Sequence, residues 1–412
     1  MMCIARLLLV VLMVAPAQAG CGRNAGPDTI PSTASWSRRI ADSFVLRHPG
    51  AVTYDSGSPD QKWNYEQGLM LVALHQMSLH TGDQTYFDFV CKNLDQYVGE
   101  NGTIRTYKLS DYNLDNVGPG RVLLGVYQVT REERFRAAAD TLRRQLREQP
   151  RTHEGGFWHK KIYPYQMWLD GLFMAEPFYA RYAVMFNEPC AFDDIANQFT
   201  WIARHTRDPK TGLFYHAWDE SKQQRWANPE TGCSPNFWGR AMGWYVMALV
   251  DVLDYFPLDH PQREDLISIL RELCATLLKF RDEKTSLWYQ VVDQGQREGN
   301  YLESSASCMF AYAFAKGANK GYLNRKFIDA AEQTFKGLTE RQVTIEGSGF
   351  VDLHGTCRGA GLGGNPYRDG SFEYYISEPQ RTNDMKGIGS FLLAAIELEK
   401  GRVTKNTSDE ER

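Results

Sequence analysis

A short element, most often a turn residue followed by aromatic or β-branched ones, recurs six times along this chain. It reads Ala51-Val52-Thr53-Tyr54, Gly102-Thr103-Ile104-Arg105, Gly156-Phe157-Trp158-His159, Gly212-Leu213-Phe214-Tyr215-His216, Ser286-Leu287-Trp288-Tyr289 and Gly349-Phe350-Val351-Asp352-Leu353-His354. The copies lie roughly 50 to 75 residues apart, as in an array that stacks one supersecondary unit on the next. Between them, helical periodicity predicts twelve helices, at residues 35–45, 66–79, 87–97, 120–127, 133–147, 167–186, 192–205, 238–256, 263–280, 302–317, 325–339 and 384–399. Some are amphipathic, with Phe192, Ile195, Phe199 and Ile202 along one side. Others, notably 167–186 and 238–256, are apolar almost all round, as in helices buried on every side. Six hairpins closing into a ring give an all-α (α/α)6 barrel, with buried inner and amphipathic outer helices. An open twelve-helix solenoid is the alternative, and the count of six favours closure.

The chain opens with one positive charge in residues 1–6, an apolar run at 7–14 and then Ala17-Gln18-Ala19. That is the layout of a secretory signal peptide, too short to span a membrane. Cleavage after Ala19 leaves Gly20-Cys21, and a small residue before Cys also fits a bacterial lipoprotein signal. Gln18 stands where that signal usually carries an aliphatic residue, so a lipid on Cys21 stays open. The expectation is an exported protein, periplasmic or lipid-anchored at the bacterial envelope. Residues 20–35, with Pro27 and Pro31, read as a flexible tether, 36–400 as the folded domain and 401–412 as a charged, frayed tail.

A net charge of −4 without any Lys/Arg cluster argues against nucleic acid as a partner. Beyond Cys3 and Cys21, six cysteines remain, none at zinc-ligand spacing. Buried thiols are expected, with a disulfide left open; no metal and no cofactor are expected.

The stretch from Tyr163 to Tyr182 places a carboxylate, Asp170, among aromatic and aliphatic neighbours. A carboxyl in such surroundings has a raised pKa and can act as a general acid; alternatively, Asp170 merely caps the helix that starts there. Other clusters stand at the same end of successive hairpins: Trp63-Asn64-Tyr65-Glu66, Asp115-Asn116-Val117-Gly118-Pro119-Gly120, His159-Lys160-Lys161, His216-Ala217-Trp218-Asp219, and Trp238-Gly239-Arg240 with Trp244. Such junctions converge on a central funnel. Singly, the tryptophans read as core, Arg240 as the neutraliser of a buried carboxylate, the histidines as turn residues and the lysines as solvated. Together, aromatic faces for sugar rings and an arginine for a carboxylate suit an acidic sugar.

WLDGLFMAEPFYARY, YHAWDES, FWGRAMGWYVMALVDVLDYFP and YLESSASCMFAYAFAKG resemble the signature stretches of the unsaturated rhamnogalacturonyl hydrolases, glycoside hydrolase family 105. The resemblance runs from about Trp36 to Lys400 and implies an (α/α)6 barrel. It also implies removal of 4,5-unsaturated galacturonic acid from the non-reducing end of rhamnogalacturonan fragments. By the same resemblance Asp170 matches the general acid, while Asp115, His159, Lys160, His216, Trp238, Arg240, Trp244 and, more weakly, Tyr65 match substrate-binding positions. Cys233 before Ser234-Pro235 departs from the pattern and puts little in doubt. The chemistry implied is protonation of C4 of an enol ether and addition of water at C5, with Asp170 serving as acid and then as base. Asp115 would hold hydroxyls or orient the water. The rivals are the sister unsaturated glucuronyl hydrolases acting on other lyase products, and a non-catalytic glycan-binding toroid.

Overall fold

A computed structural model describes residues 29–52 and 62–410, with side chains as far as 401. The leader, Cys21, the tether up to residue 28 and Thr53-Tyr54 of the first repeated element lie outside the described residues. The described chain forms thirteen α-helices: α1 (Trp36–Arg47), α2 (Tyr65–Thr81), α3 (Gln84–Leu94), α4 (Gly120–Thr130), α5 (Glu133–Glu148), α6 (Leu169–Met185), α7 (Ala191–Thr206), α8 (Gly239–Val252), α9 (Arg263–Lys279), α10 (Ser304–Asn319), α11 (Lys326–Arg341), α12 (Phe372–Ser377) and α13 (Met385–Glu410).

The contacts close a ring. Each of α2, α4, α6, α8, α10 and α13 packs on the next, and α13 returns to α2. Outside them, α3, α5, α7, α9 and α11 each pair with the inner helix they follow, and α1 pairs with α13. The barrel is therefore an (α/α)6 toroid with the first described helix outside and the last inside. Ser37 joins α1 to α13, giving its backbone N–H and its hydroxyl to the Glu399 carboxylate at 3.0 and 2.6 Å. The division of labour follows the sequence. In α8 every residue is buried, whereas α5 buries only one face, led by Phe135, Ala138, Ala139, Leu142 and Leu146.

The repeated element is the turn that follows an outer helix. Residues 208–213 and 282–287 show its construction twice. Asp208 Oδ2 accepts from the N–H and hydroxyl of Thr211, as Asp282 Oδ2 does from Thr285. The next residue has positive φ: Gly212 at +77° and, unusually for a residue with a side chain, Ser286 at +62°. The aromatic positions after these turns carry the chain back toward the next inner helix.

Three departures from the expected helices have a common cause. The helix expected from 167 begins at Leu169, because Gln166–Trp168 form a strand, β1, antiparallel to Ala217–Asp219, β2. The helix expected from 238 begins at Gly239, since Trp238 bridges to Val291, and α10 begins at Ser304 after a bridge between Leu302 and Tyr289. In each case apolar residues extend the helical pattern, but their backbone groups are taken by strand pairing. Four further strands, Val343–Ile345 (β3), Val351–Leu353 (β4), Thr356–Cys357 (β5) and Gln380–Arg381 (β6), pair as β3–β4 and β5–β6. Helix α13 continues through residues read as a tail. All six cysteines described are free thiols; Cys190 is exposed and Cys91 half-buried rather than buried as expected.

Toward the C-terminal ends of α8 and α10, Asp251 is 2 % exposed and accepts from Arg121, Lys316 and Tyr312, each at 2.6 Å. Burial pushes its carboxyl up, but the two cations outweigh it and hold it at about 2. The cluster ties α4, α8 and α10 together. A depressed folded-state pKa means stabilisation that is present above the unfolded value and lost as pH falls through the folded one. Asp251→Asn should therefore cost about 3–5 kcal/mol near neutrality, by leaving buried cations underpaired. Denaturant melts of wild type and variant should converge by about 2 kcal/mol between about pH 4 and about pH 2. A difference that does not vary with pH would remove Asp251 from the account.

Candidate active site

The N-termini of the inner helices and the loops feeding them bring the expected site residues to one end of the ring. Tyr65 is the first residue of α2, Asp170 the second of α6 and Arg240 the second of α8. Asp115 sits on a single 3-10 turn, Leu114–Asn116, and Gly118-Pro119 then lead down into α4. Helix α4 starts deeper than α6, since Gly120 packs against Phe178 in the third turn of that helix.

Short backbone links set the register of these pieces. Leu169 N–H donates to His216 O at 3.1 Å, His159 N–H to Gln166 O at 2.9 Å, and Leu114 N–H to His159 O at 3.1 Å. The β1–β2 pair thus carries His216 to Asp170, and the 159–166 turn carries His159 to Asp115.

Asp170 and His216 are the centre of this arrangement. Asp170 Oδ2 lies 3.1 Å from His216 Nε2, with the imidazole fully buried and the carboxylate side chain 13 % exposed. The two atoms are close but poorly aligned, and both are buried without a hydrogen-bond partner. On its other side His216 Nδ1 meets the Tyr375 hydroxyl at 2.8 Å. Burial pushes the Asp170 carboxyl up, yet the facing His216, and His159 beyond it, outweigh burial and hold it below its ordinary value. This corrects the expectation of a carboxyl raised by apolar walls: the stretch around it is apolar, but the group facing it is an imidazole. Nor does Asp170 cap α6, whose N-cap is Trp168 with no side-chain bond. It lies in the first turn, where the helix dipole favours an anion.

A second carboxylate, Asp115, is paired directly with Lys160 and lies 3.5 Å from His159 Nε2. Burial lowers the Lys160 amine, but Asp115 more than compensates and raises it. His159, 3 % exposed, is pushed down to about 4 by burial and is neutral at physiological pH. It stacks on the Trp168 indole, with ring centroids 4.7 Å apart, and Trp168 in turn meets His216 edge-on at 5.1 Å. Gly171 permits this approach, since a β-carbon there would stand 3.2 Å from His159 Nδ1.

Trp238, Arg240 and Trp244, each 1 % exposed, form a packed floor rather than an open wall. The Trp238 indole donates to Gln290 Oε1 at 3.0 Å and packs on His216 and Tyr375. Trp244 packs on Phe173 and edge-on to the Tyr65 ring, 6.1 Å away. The Arg240 guanidinium sits over Trp238, donates to Ser305 Oγ and Cys357 O, and lies 3.9 Å from Glu303. Glu303 is the N-cap of α10, fully buried and fully engaged by Ala306 N–H, Cys357 N–H and Ser305 Oγ. Sequence reasoning missed Tyr375, Glu303, Gln290 and Trp168. Trp168 was within reach, two residues from Asp170. Tyr375 sits on the short helix α12, which carries no periodic signal.

The cause assigned to the Asp170 shift is testable. In His216→Leu the imidazole is gone and burial acts with less opposition, so Asp170 should titrate higher than in wild type by carboxyl ¹³C NMR. An unchanged titration would mean that His216 does not set it.

The family model described as Glycosyl Hydrolase Family 88 matches residues 36–401. A solved structure from C. acetobutylicum ATCC 824, a glycoside hydrolase from family 105, is 45 % identical. It superposes with a TM-score of 0.86, over 89 % of this chain and 100 % of that one. The unsaturated rhamnogalacturonyl hydrolase YesR of Bacillus subtilis is 27 % identical over 275 residues, 65 % of this chain and 74 % of that protein. Protein Atu3128 of Agrobacterium fabrum is 39 % identical over 230 residues, 54 % of this chain and 97 % of its own length. The chain thus belongs with the proteins described by the Glycosyl Hydrolase Family 88 model and with the family 105 glycosidases, as an unsaturated uronyl hydrolase.

Proposed function

We propose that the chain removes 4,5-unsaturated galacturonic acid from the non-reducing end of rhamnogalacturonan-derived oligosaccharides, with Asp170 as the acid. The observation that carries this reading is the Asp170–His216 contact, a buried carboxylate 3.1 Å from an imidazole with neither atom in an aligned hydrogen bond. Groups whose bonding is complete, such as Glu303, have no capacity left for a ligand. Asp170 has. The similarity to YesR supports the rhamnogalacturonan side of the reading.

The chemistry differs from two-carboxylate glycoside hydrolysis. The substrate is an enol ether, C4=C5–O. Asp170 gives its proton to C4, and the C4=C5 electron pair forms the new C–H bond, leaving an oxocarbenium ion at C5. Water adds at C5 and loses its proton to the Asp170 carboxylate. The hemiketal opens to a C5 ketone, and the hemiacetal left at C1 releases the aglycone. Asp170 is ionised at rest, so it must take up a proton as substrate binds. A uronate carboxylate entering the site and excluding water favours this, because both added negative charge and desolvation raise a carboxyl pKa. Helices α6 and α8 lack side-chain caps, and the N–H groups of their first turns add a field that suits an acidic sugar. Asp115, held by Lys160, is placed to hold hydroxyls or the attacking water. The leader read at residues 1–19 supports a reaction outside the cytoplasm.

Asp170→Asn should fold, still bind unsaturated uronides and turn them over at least about a hundredfold more slowly. Turnover is followed by loss of enol-ether absorbance on disaccharides carrying rhamnose or hexosamine. Preference for hexosamine would reassign the substrate, and near-normal turnover would move the acid to Asp115. Arg240→Ala removes the cation beside the buried Glu303 and should cost about 3–5 kcal/mol of stability. Unchanged melting with a raised KM for the acidic sugar would instead make Arg240 a direct carboxylate ligand.

A further inference from the structure

Behind the Asp170 turn lies a small cavity, lined by Leu114, His159, Trp168, Gly171, Glu176 and Gln198 among others. Two polar atoms of its lining are buried without a partner: His159 Nδ1 and Glu176 Oε2. The other polar groups there are already engaged. Trp168 Nε1 donates to Gln166 Oε1 at 3.1 Å. Gln198 accepts from Phe157 N–H and spends its amide hydrogens on Gly155 O and Asp194. The two orphan atoms therefore have only each other to serve, across a space that holds roughly one water molecule.

The direction of the hydrogen bonds follows from the chemistry. His159 Nε2 faces the Asp115 carboxylate at 3.5 Å and can hold it only by carrying the ring proton. Nδ1 is then a lone pair and needs a donor. Glu176, 1 % exposed, can supply one as a carboxylic acid, and burial together with Asp194 pushes it well above its ordinary range despite Arg151 and Arg143.

We infer that Glu176 is a positioning residue: through a water in this cavity its carboxylic acid donates toward His159 Nδ1, so that Nε2–H is held toward Asp115. The chain runs from Glu176 Oε–H to the water oxygen, from the water to Nδ1, and from Nε2–H to the carboxylate. Glu176 itself touches no substrate. It rests on the proposed function only in that Asp115 is taken to serve the substrate; the tautomer of His159 does not depend on that.

The test is imidazole ¹⁵N NMR of His159 in the full chain, without substrate, beside kcat and KM. Wild type should show the Nε2–H tautomer; an Nδ1–H tautomer would overturn the proposal whatever the variants do. Glu176→Gln keeps a neutral donor of the same shape and should leave both the tautomer and kcat near wild type. Glu176→Leu should mix the tautomers and lower kcat by about ten- to a hundredfold with KM little changed, as misplacement of a site group does. A Glu176→Leu protein with the wild-type tautomer sinks the inference. Because the NMR readout needs no turnover, that failure is distinct from a failed Asp170 assignment.

Discussion

A helix buried on every side can meet solvent or ligand only at its ends, and that constraint organises this molecule. The first N–H groups and last C=O groups of each inner helix have no partner within the helix. Closing six such helices into a ring gathers these ends at two places. At the mouth, α2 is capped by Asn64 and α10 by Glu303, each through a side-chain bond. Helices α6 and α8 are not, and they carry Asp170 and Arg240 in their first turns. The uncapped ends are the ones beside the site.

Charge at the mouth follows a second rule, that each buried charge is matched. Asp115 is held by Lys160, Glu303 faces Arg240, and Asp170 faces His216. These pairs differ in how complete they are. Glu303 accepts on both oxygens from groups fixed by the backbone, so it is locked. Asp170 and His216 touch without an aligned bond. An unfinished contact in a buried place is costly to stability, and such local costs are commonly found where a protein does chemistry. Toward the C-terminal ends of α8 and α10 the case is different. There Asp251 is saturated by Arg121, Lys316 and Tyr312, and the cluster serves packing.

Much of this was legible in the chain. The six turn elements and the contrast between all-round apolar and one-sided helices come from local sequence, because a turn needs particular backbone freedom and a buried helix needs apolar residues on every face. Asp170 is equally visible as a carboxylate in an apolar run. What local patterns could not reveal is the state of that carboxylate. His216 reaches it through β1–β2 pairing, and this pairing also takes residues 166–168 out of the helix that their hydrophobicity suggests. The same is true of Trp238 and Trp244, whose aromatic character suits a sugar platform but whose faces the ring covers.

The sequence by itself determined that there would be six helical hairpins, marked 167–186 and 238–256 as buried on every side, and set the candidate site residues at loop-to-helix junctions. Only the tertiary structure decided which of those residues face one another. Tyr375 meets His216 across 159 residues of chain, and Arg240 meets Cys357 across 117. The physical reason is that helical periodicity records which side of a residue is buried, whereas pairing across the mouth is set by ring closure and strand register. Both of these depend on all six hairpins at once.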